Sequence, residues 1–432
     1  MTRTAIADIS AWEVLDSRGT PTVACAVRLD GGGQGVASVP SGASTGTYEA
    51  HELRDGGDRY GGRGVRRAVR NVEEIIAPAV CGLDATDQGG LDRALRALDG
   101  TATLSNLGAN AVLAVSISVA LAAADAAGLP LHRVLSPDAE PLLPLPMVNI
   151  LSGGAHAGGA VDVQDILVVP VGAASFAEAI EWAWRVRRGT AAAVAERGLP
   201  AALVADEGGL GPPLPSNRAA LDLLMEGIAR SGLIPETQVA IAVDVAAAQL
   251  VQGHHYHLAA EGRTLDADGL LDELASWRDA YPIVSIEDPL HDDDWAGWAV
   301  ASRRLGGRLQ LLGDDLFATD LARLERGIAA GVANAVLVKP NQTGTLSDAQ
   351  AVVARAQAAG YATVVSARSG DTEDAWLADL AVGWRAGQIK VGSLMRSERT
   401  AKWNRLLRIE REAGDRARFA GRQALGGRAG DV

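Results

Sequence analysis

Asp244, Glu287 and Asp314 each close, or stand just beyond, a short apolar run, at 240–245, 283–287 and 309–313. They offer oxygen donors only, with neither cysteine nor histidine among them, and hard oxygen ligation selects Mg²⁺ or Mn²⁺ over zinc or copper. Brought together, three such anions repel unless a cation neutralises them. Lys339 closes the run at 335–339, and beside that cation its ammonium would titrate lower, which makes it a usable general base. Glu207, followed by Gly208 and Gly209, sits on a loop whose backbone can approach a ligand closely, and it is a candidate acid. Asp165 differs from the others in opening a run, 166–171, instead of closing one. A metal-held carboxylate, a base and an acid suit one reaction class. The proton α to a carboxylate is removed, the divalent metal holds the resulting dianion, and a β-hydroxyl leaves with acid assistance.

These residues lie far apart in the chain, so the fold must converge them. Seven short apolar runs (166–171, 203–205, 240–245, 283–287, 309–313, 335–339 and 363–366) are separated by helix-length intervals, the signature of a parallel (β/α) barrel. In such a barrel the carboxyl ends of the strands share one mouth. The barrel is assigned to residues 138–432, after a proline-rich connection at Pro141, Pro144 and Pro146. Residues 1–137 read as a small α+β domain. Val23, Cys25, Val27 and Leu29 alternate as in a strand, 30–33 turns, 35–40 resumes as a second strand of a hairpin, and helical spacing follows from about 60 to 129, jointed at Gly108 and Gly128.

Composition narrows the function further. The chain has 432 residues, with 40 Lys and Arg against 53 Asp and Glu, a formal charge of −13. That balance argues against nucleic acid or an anionic membrane as partner. The hydrophobic share of 48% belongs to a globular protein with a large core. Cys25 and Cys81 make neither a disulfide framework nor a zinc site, so a reducing compartment is expected. The first ten residues lack an apolar signal core, and the apolar stretch 111–129 carries Ser116, Ser118 and Asp125 among small alanines, so it reads as a buried helix and the protein as cytoplasmic. Gly42, Ser44 and Gly46 match a hydrolase nucleophile pattern, but no histidine follows His291 and the segment lies in the hairpin domain. His254, His255 and His257 read as a solvated surface hairpin.

The longer motifs carry a resemblance. DSRGTPTV from Asp16, SGASTGTYEAHELRDG from Ser41, GANAVLAVS from Gly108, GGAHAGG from Gly153 and ADEGG from Ala205 are similar to the enolase family. So are SIEDPLHDDDW from Ser285, GDDLFATD from Gly313, LVKPNQTGT from Leu337, RSGDTED from Arg368 and GQIKVGS from Gly387. The resemblance spans nearly the whole chain. It implies an enolase-type (β/α)8 barrel behind a small α+β domain, and a Mg²⁺-dependent hydro-lyase with two ions per site, Mn²⁺ or Co²⁺ able to substitute. The substrate it implies is a small phosphorylated or phosphonylated carboxylate, and the assembly a homodimer or higher homo-oligomer. By position it makes Asp244, Glu287 and Asp314 ligands of the tighter ion. Ser44 becomes a loop ligand of the second ion and of the substrate phosphate. Lys339 becomes the base, Glu207 the acid, Lys390 the partner of the substrate carboxylate, Arg368 with Ser369 the phosphate clamp, and His156 the loop histidine that enters on closure.

Two positions depart from the family pattern. Gln164 is followed by Asp165 where the family has glutamate, and Ala367 stands where S-H-R-S has histidine. One change withdraws a carboxylate by a methylene and the other deletes an imidazole. Three readings follow: a phosphopyruvate hydratase tolerating both changes, a catalytically weak scaffold, and a specialised dehydratase. The favoured one is the specialised dehydratase. Carboxyphosphonoenolpyruvate synthase, an enolase-like enzyme of phosphinate antibiotic assembly, is an example, and the alanine- and arginine-rich composition suits the actinomycetes that make such compounds. Volume lost beside an unchanged base and anion clamp is what a bulkier or differently charged substrate requires.

Overall fold

The computed structural model describes residues 3–43 and 46–426; Ser44 lies outside them. Strands β1 (Ile6–Leu15), β2 (Pro21–Leu29) and β3 (Gln34–Ser38) form an antiparallel sheet. Against it packs α2 (Ala109–Ala127), preceded by α1 (Gln88–Asp99). A Cβ on Gly35 would come within 2.1 Å of the Ser118 carbonyl oxygen, so sheet and helix approach to backbone contact. That approach demands the small residues that fill α2. Although α2 is long and apolar enough to cross a membrane, most of it is buried inside the fold.

The barrel runs in chain order through β4 (Leu145–Ser152), β5 (Asp165–Val169), α3 (Phe176–Glu196), α4 (Asn217–Ser231) and β6 (Ala240–Asp244). It continues through α5 (Ala267–Ala280), β7 (Ile283–Glu287), α6 (Trp295–Leu305), β8 (Gln310–Gly313), α7 (Leu321–Ala330) and β9 (Ala335–Val338). It ends with α8 (Leu346–Ala358), β10 (Ala362–Ser366), α9 (Trp376–Gly383), β11 (Gly387–Gly392) and α10 (Ser397–Ala413). Helices α3 to α8 each open on a Ser, Thr or Asp whose side chain accepts a backbone N–H three residues on. The eight strands close in sequence order.

Three expectations are corrected. The barrel is not wholly parallel, because β5 runs antiparallel to both β4 and β6. The reversal explains why Asp165 opens its run: the start of β5 lies at the mouth where the other strands end, with Asp165 opposite Asp244. The segment 203–205 is not a strand; Leu203 is 70% exposed and the stretch belongs to a loop. The eight are completed instead by β4, which the flanking prolines disguise as a connection, and by β11, whose alternating Gln388 and Lys390 break an apolar run. The histidines at 255 and 257 do lie on an exposed antiparallel hairpin.

Side-chain alternation carries the barrel's interior straight into its mouth. Met147, Leu167, Ala242, Leu312, Leu337 and Val364 belong to one buried cluster inside the barrel. Two residues further toward the mouth on the same strands stand Asn149, Asp165, Asp244, Asp314, Lys339 and Ser366. Strand residues i and i+2 share a face, so the polar set is the next inward layer above an apolar one.

Candidate active site

The mouth holds a cavity of about 510 Å³, its opening to solvent included. Glu207, Asp244, Asp314, Lys339, Lys390 and Arg368 line it, together with His156, Ala367 and Ser369. Glu287 and Asp165 lie behind this wall, hydrogen-bonded to Lys390 and His156 in front of them.

On one side, Lys390 Nζ donates to Asp244 Oδ2 at 2.7 Å and to both Glu287 oxygens at 2.7 and 2.8 Å. Burial disfavours this ammonium, but Asp244 and Glu287 more than offset that and hold its pKa well above the ordinary range. Burial and the nearby Asp244 charge push the Glu287 carboxyl up. Lys339 Nζ pairs with Asp314 Oδ2, while Asp314 Oδ1 accepts from Gln342 at 3.1 Å. Burial opposes the Lys339 charge too, and Asp314 overrides it, so this lysine is held as ammonium until Asp314 is engaged elsewhere. Asp288, whose φ of +41° is unusual for a non-glycine, accepts from the Asp314 and Asp315 N–H groups and closes the turn. Asp288, Asp314 and Asp315 place carboxylate oxygens within 4.8 Å of one another.

These groups fit a hard divalent cation. Asp244 and Glu287 already converge on one positive atom, and the anion crowding visible in the raised Glu287 and in Asp315, pushed up to about 7 chiefly by burial and Asp314, is what a cation relieves.

On the opposite side, His156 bridges two acids. Its Nδ1 lies 2.9 Å from Asp165 Oδ2 and its Nε2 3.9 Å from Glu207 Oε1. Burial disfavours the imidazolium, but Asp165 and Glu207 outweigh it and raise the pKa to about 9. Asp165, fully buried, also accepts from Ser152 at 3.0 Å and from Asn149. Burial pushes its carboxyl up, whereas Glu207, also buried, is held down by His156 and Arg399. Glu207 owes its place to loop packing: a Cβ on Gly209 would meet Ser152 Oγ at 2.5 Å, and one on Gly208 the Met395 carbonyl oxygen at 2.6 Å. Only glycines let this loop lie on the end of β4.

The end of the cavity at Arg368 and Ser369 is assembled largely through backbone groups. Arg368 pairs with Glu49 at 2.8 Å and donates to Asn341 at 3.1 Å. Ser369 Oγ accepts from the Ala43 N–H at 2.6 Å. Arg399, fully buried, donates to the carbonyls of Arg368 and Ser369 at 2.7 and 2.6 Å and reaches within 3.9 Å of Glu207. The Ala367 N–H donates to the Lys390 carbonyl at 2.9 Å, fixing β10 to β11 at the mouth.

Sequence reasoning omitted Glu49, Asp288, Asp315, Gln342 and Arg399. Glu49, Asp288, Asp315 and Gln342 lie inside the motifs quoted above, one to five residues from a named site residue. Arg399 has no such neighbour, and only its burial in the fold exposes its role.

Carboxylates and lysines interleaved at the mouth of a barrel define an enzyme of proton transfer and charge stabilisation, built on strand ends. Residues 6–135 match the family model for the enolase N-terminal domain, and residues 140–427 that for the enolase C-terminal TIM barrel domain. The chain belongs to the enolase family and is a hydro-lyase of it.

Proposed function

We propose that the protein is a Mg²⁺-dependent dehydratase acting on a 2-phosphoglycerate-like substrate that carries an additional anionic group, as the phosphonoformyl glycerate of carboxyphosphonoenolpyruvate synthase does. One observation supports the specialisation: His156, held as an imidazolium by Asp165 and Glu207, lines the same cavity as Ala367. One imidazolium beside a position of small volume suits a bulkier and more anionic substrate than 2-phosphoglycerate.

In this reading Asp244, Glu287 and Asp314 hold Mg²⁺, which supplies neutralisation of the substrate carboxylate as negative charge builds on it, the established pattern of the superfamily. Once Asp314 no longer claims its charge, Lys339 releases a proton to solvent, and its neutral Nζ then takes the α-proton. The C–H electron pair is first delocalised onto the substrate carboxylate; it then forms the Cα–Cβ double bond as the β-hydroxyl leaves with the C–O pair, and the His156–Glu207 pair delivers the proton that makes it water. Lys390 holds the substrate carboxylate, Arg368 and Ser369 the phosphorus group, and Ser44 is assigned its closing contact by resemblance. A second copy of the chain completes the assembly, as is common in the family, and the cell compartment is the cytoplasm.

The ordinary hydratase reading has an observation of its own, since the Lys339–Asp314 and Arg368–Glu49 pairs serve 2-phosphoglycerate equally well. Phosphorus NMR of the purified protein with Mg²⁺ separates the two. Dehydration of the phosphonoformyl analogue with little turnover of 2-phosphoglycerate is the expected result. Rapid phosphoenolpyruvate formation would make the protein an ordinary hydratase, and inertness toward both a scaffold.

A further inference from the structure

Gln342 follows Lys339 by three residues, on a short turn of helix at Pro340–Thr343, and is 2% exposed. Every polar atom of this residue is engaged, and its partners include three residues that line the cavity, Asp314, Glu49 and Lys339. Its Nε2 donates to Asp314 Oδ1 at 3.1 Å and lies 3.5 Å from Glu49 Oε1, the carboxylate that holds Arg368. Its Oε1 accepts from Thr319 Oγ1 at 2.5 Å, and that oxygen accepts in turn from the Lys339 N–H at 2.9 Å. Its backbone carbonyl takes the N–H of Ala50, and its own N–H returns to the Lys339 carbonyl.

Thr319 reaches this position at a conformational cost. Ala318 and Thr319 have φ of +46° and +51°, two consecutive non-glycine residues in the left-handed region, the second β-branched. The turn that stores this strain aims a fully buried hydroxyl at the Gln342 amide.

We propose that Gln342, steered by Thr319, is a positioning residue that fixes the rotamer of Asp314 and ties it to the Lys339 backbone and to the Glu49–Arg368 pair. Only an amide of this length donates to a carboxylate at one atom and accepts from a hydroxyl at the other. Leucine would leave buried Asp314 Oδ1 without its donor and the Thr319 hydroxyl only the Leu337 carbonyl, at 3.5 Å, to donate to, and glutamate would add a third anion. A carboxylate free to change rotamer ligates metal poorly, because partners behind a ligand typically govern metal affinity by about 10–100-fold.

The inference rests on the reading of Asp314 as a metal ligand, and the test separates the two. Mn²⁺ is titrated into the full-length protein without substrate, and free Mn²⁺ is read by electron paramagnetic resonance. Gln342→Leu is expected to bind Mn²⁺ about tenfold or more weakly. Thr319→Val is expected to weaken binding several-fold, Thr319→Ser to restore it to within about twofold, and the double variant to bind no worse than Gln342→Leu alone, since both act through one hydrogen-bond chain. A merely structural role would lower the melting temperature and leave Mn²⁺ affinity in place. Binding by Gln342→Leu within about twofold of the unaltered protein, while Asp314→Asn loses it, overturns the positioning role and keeps the ligand. Unaltered binding by Asp314→Asn overturns both. Should circular dichroism find Gln342→Leu unfolded, Thr319→Val decides, and Mn²⁺ affinity unchanged there overturns the proposal.

Discussion

On one side of the cavity Asp244, Asp314 and Lys339 stand at the ends of β6, β8 and β9, with Glu287 behind them on β7, parallel strands that pack as one sheet. On the other, His156 sits in a single helical turn at Gly154–Ala157 and Glu207 on a loop, and only Asp165 belongs to a strand. The first side is fixed by backbone ladders and needs opposite charges, because its carboxylates crowd. The second is fixed by side chains: His156 on Asp165, Asp165 on Ser152 and Asn149, Glu207 near Arg399. A strand end gives a ligand a defined direction whatever its neighbours do, whereas a loop residue is only as ordered as its partners. Of the two departures from the family pattern, Asp165 stands beneath His156 and opposite Asp244 on the neighbouring strand, and Ala367 stands next to Arg368.

The comparison breaks most sharply at Lys339. Lys339→Ala is expected to lower kcat by about 10³-fold or more, near the upper range for a general base, while Mn²⁺ affinity stays in place or rises because Asp314 is released. Solvent deuterium exchange at the α-carbon of the substrate checks it: exchange surviving in Lys339→Ala would move the base elsewhere. The next largest effect concerns the altered side. Asp165→Glu with Ala367→His is expected to raise 2-phosphoglycerate turnover at least tenfold, a transition-state gain of about 1.4 kcal/mol. A smaller gain would mean that these two positions do not set the preference.

The two sides also differ in how legible they were. Asp244, Glu287, Asp314 and Lys339 could be placed from the sequence because each ends an apolar run, and strand alternation makes the next inward position polar at the mouth. Leu203 to Ala205 misled because three apolar residues have no period to test, and the strand that completes the barrel, β4, carries Pro146 yet tolerates it opposite Ile389. The reversed β5 was written in the sequence as the anomaly of Asp165, but direction is a property of the sheet and not of one run. That Asp165 stands behind His156 depends on a contact between a strand residue and one nine positions earlier in a helical turn, which spacing does not encode. Arg399 holds the clamp from a helix about thirty residues further on, and nothing local marks it.

The side-chain-built half should answer to alkaline pH. His156 is raised to about 9 by Asp165 and Glu207 against burial, so acid assistance is expected to fall as pH rises through about 9. The associated stability has the same sign. With the folded pKa above the unfolded value, it is fully present below about 6.5 and lost as pH rises through the folded pKa. Asp165→Asn removes one of the two anions and should shift the alkaline limb of kcat down by about one pH unit. A limb that stays in place would assign it to another group.

The smallest effect lies at the junction of the two domains' loops. Tyr48, just beyond Gly46, donates to Asp293 at 2.7 Å and stacks under Arg323 with the guanidinium 3.6 Å from the ring centre. The hydroxyl bond is exposed and competes with water, so Tyr48→Phe should raise KM by only about twofold and leave kcat unchanged. Tyr48→Ala also loses the cation–π contact, about 0.5–1 kcal/mol at an exposed site, and should raise KM about fivefold. Steady-state kinetics of the two variants separates ring from hydroxyl. Equal KM for Tyr48→Ala and the unaltered protein would mean that this stack plays no part in substrate binding.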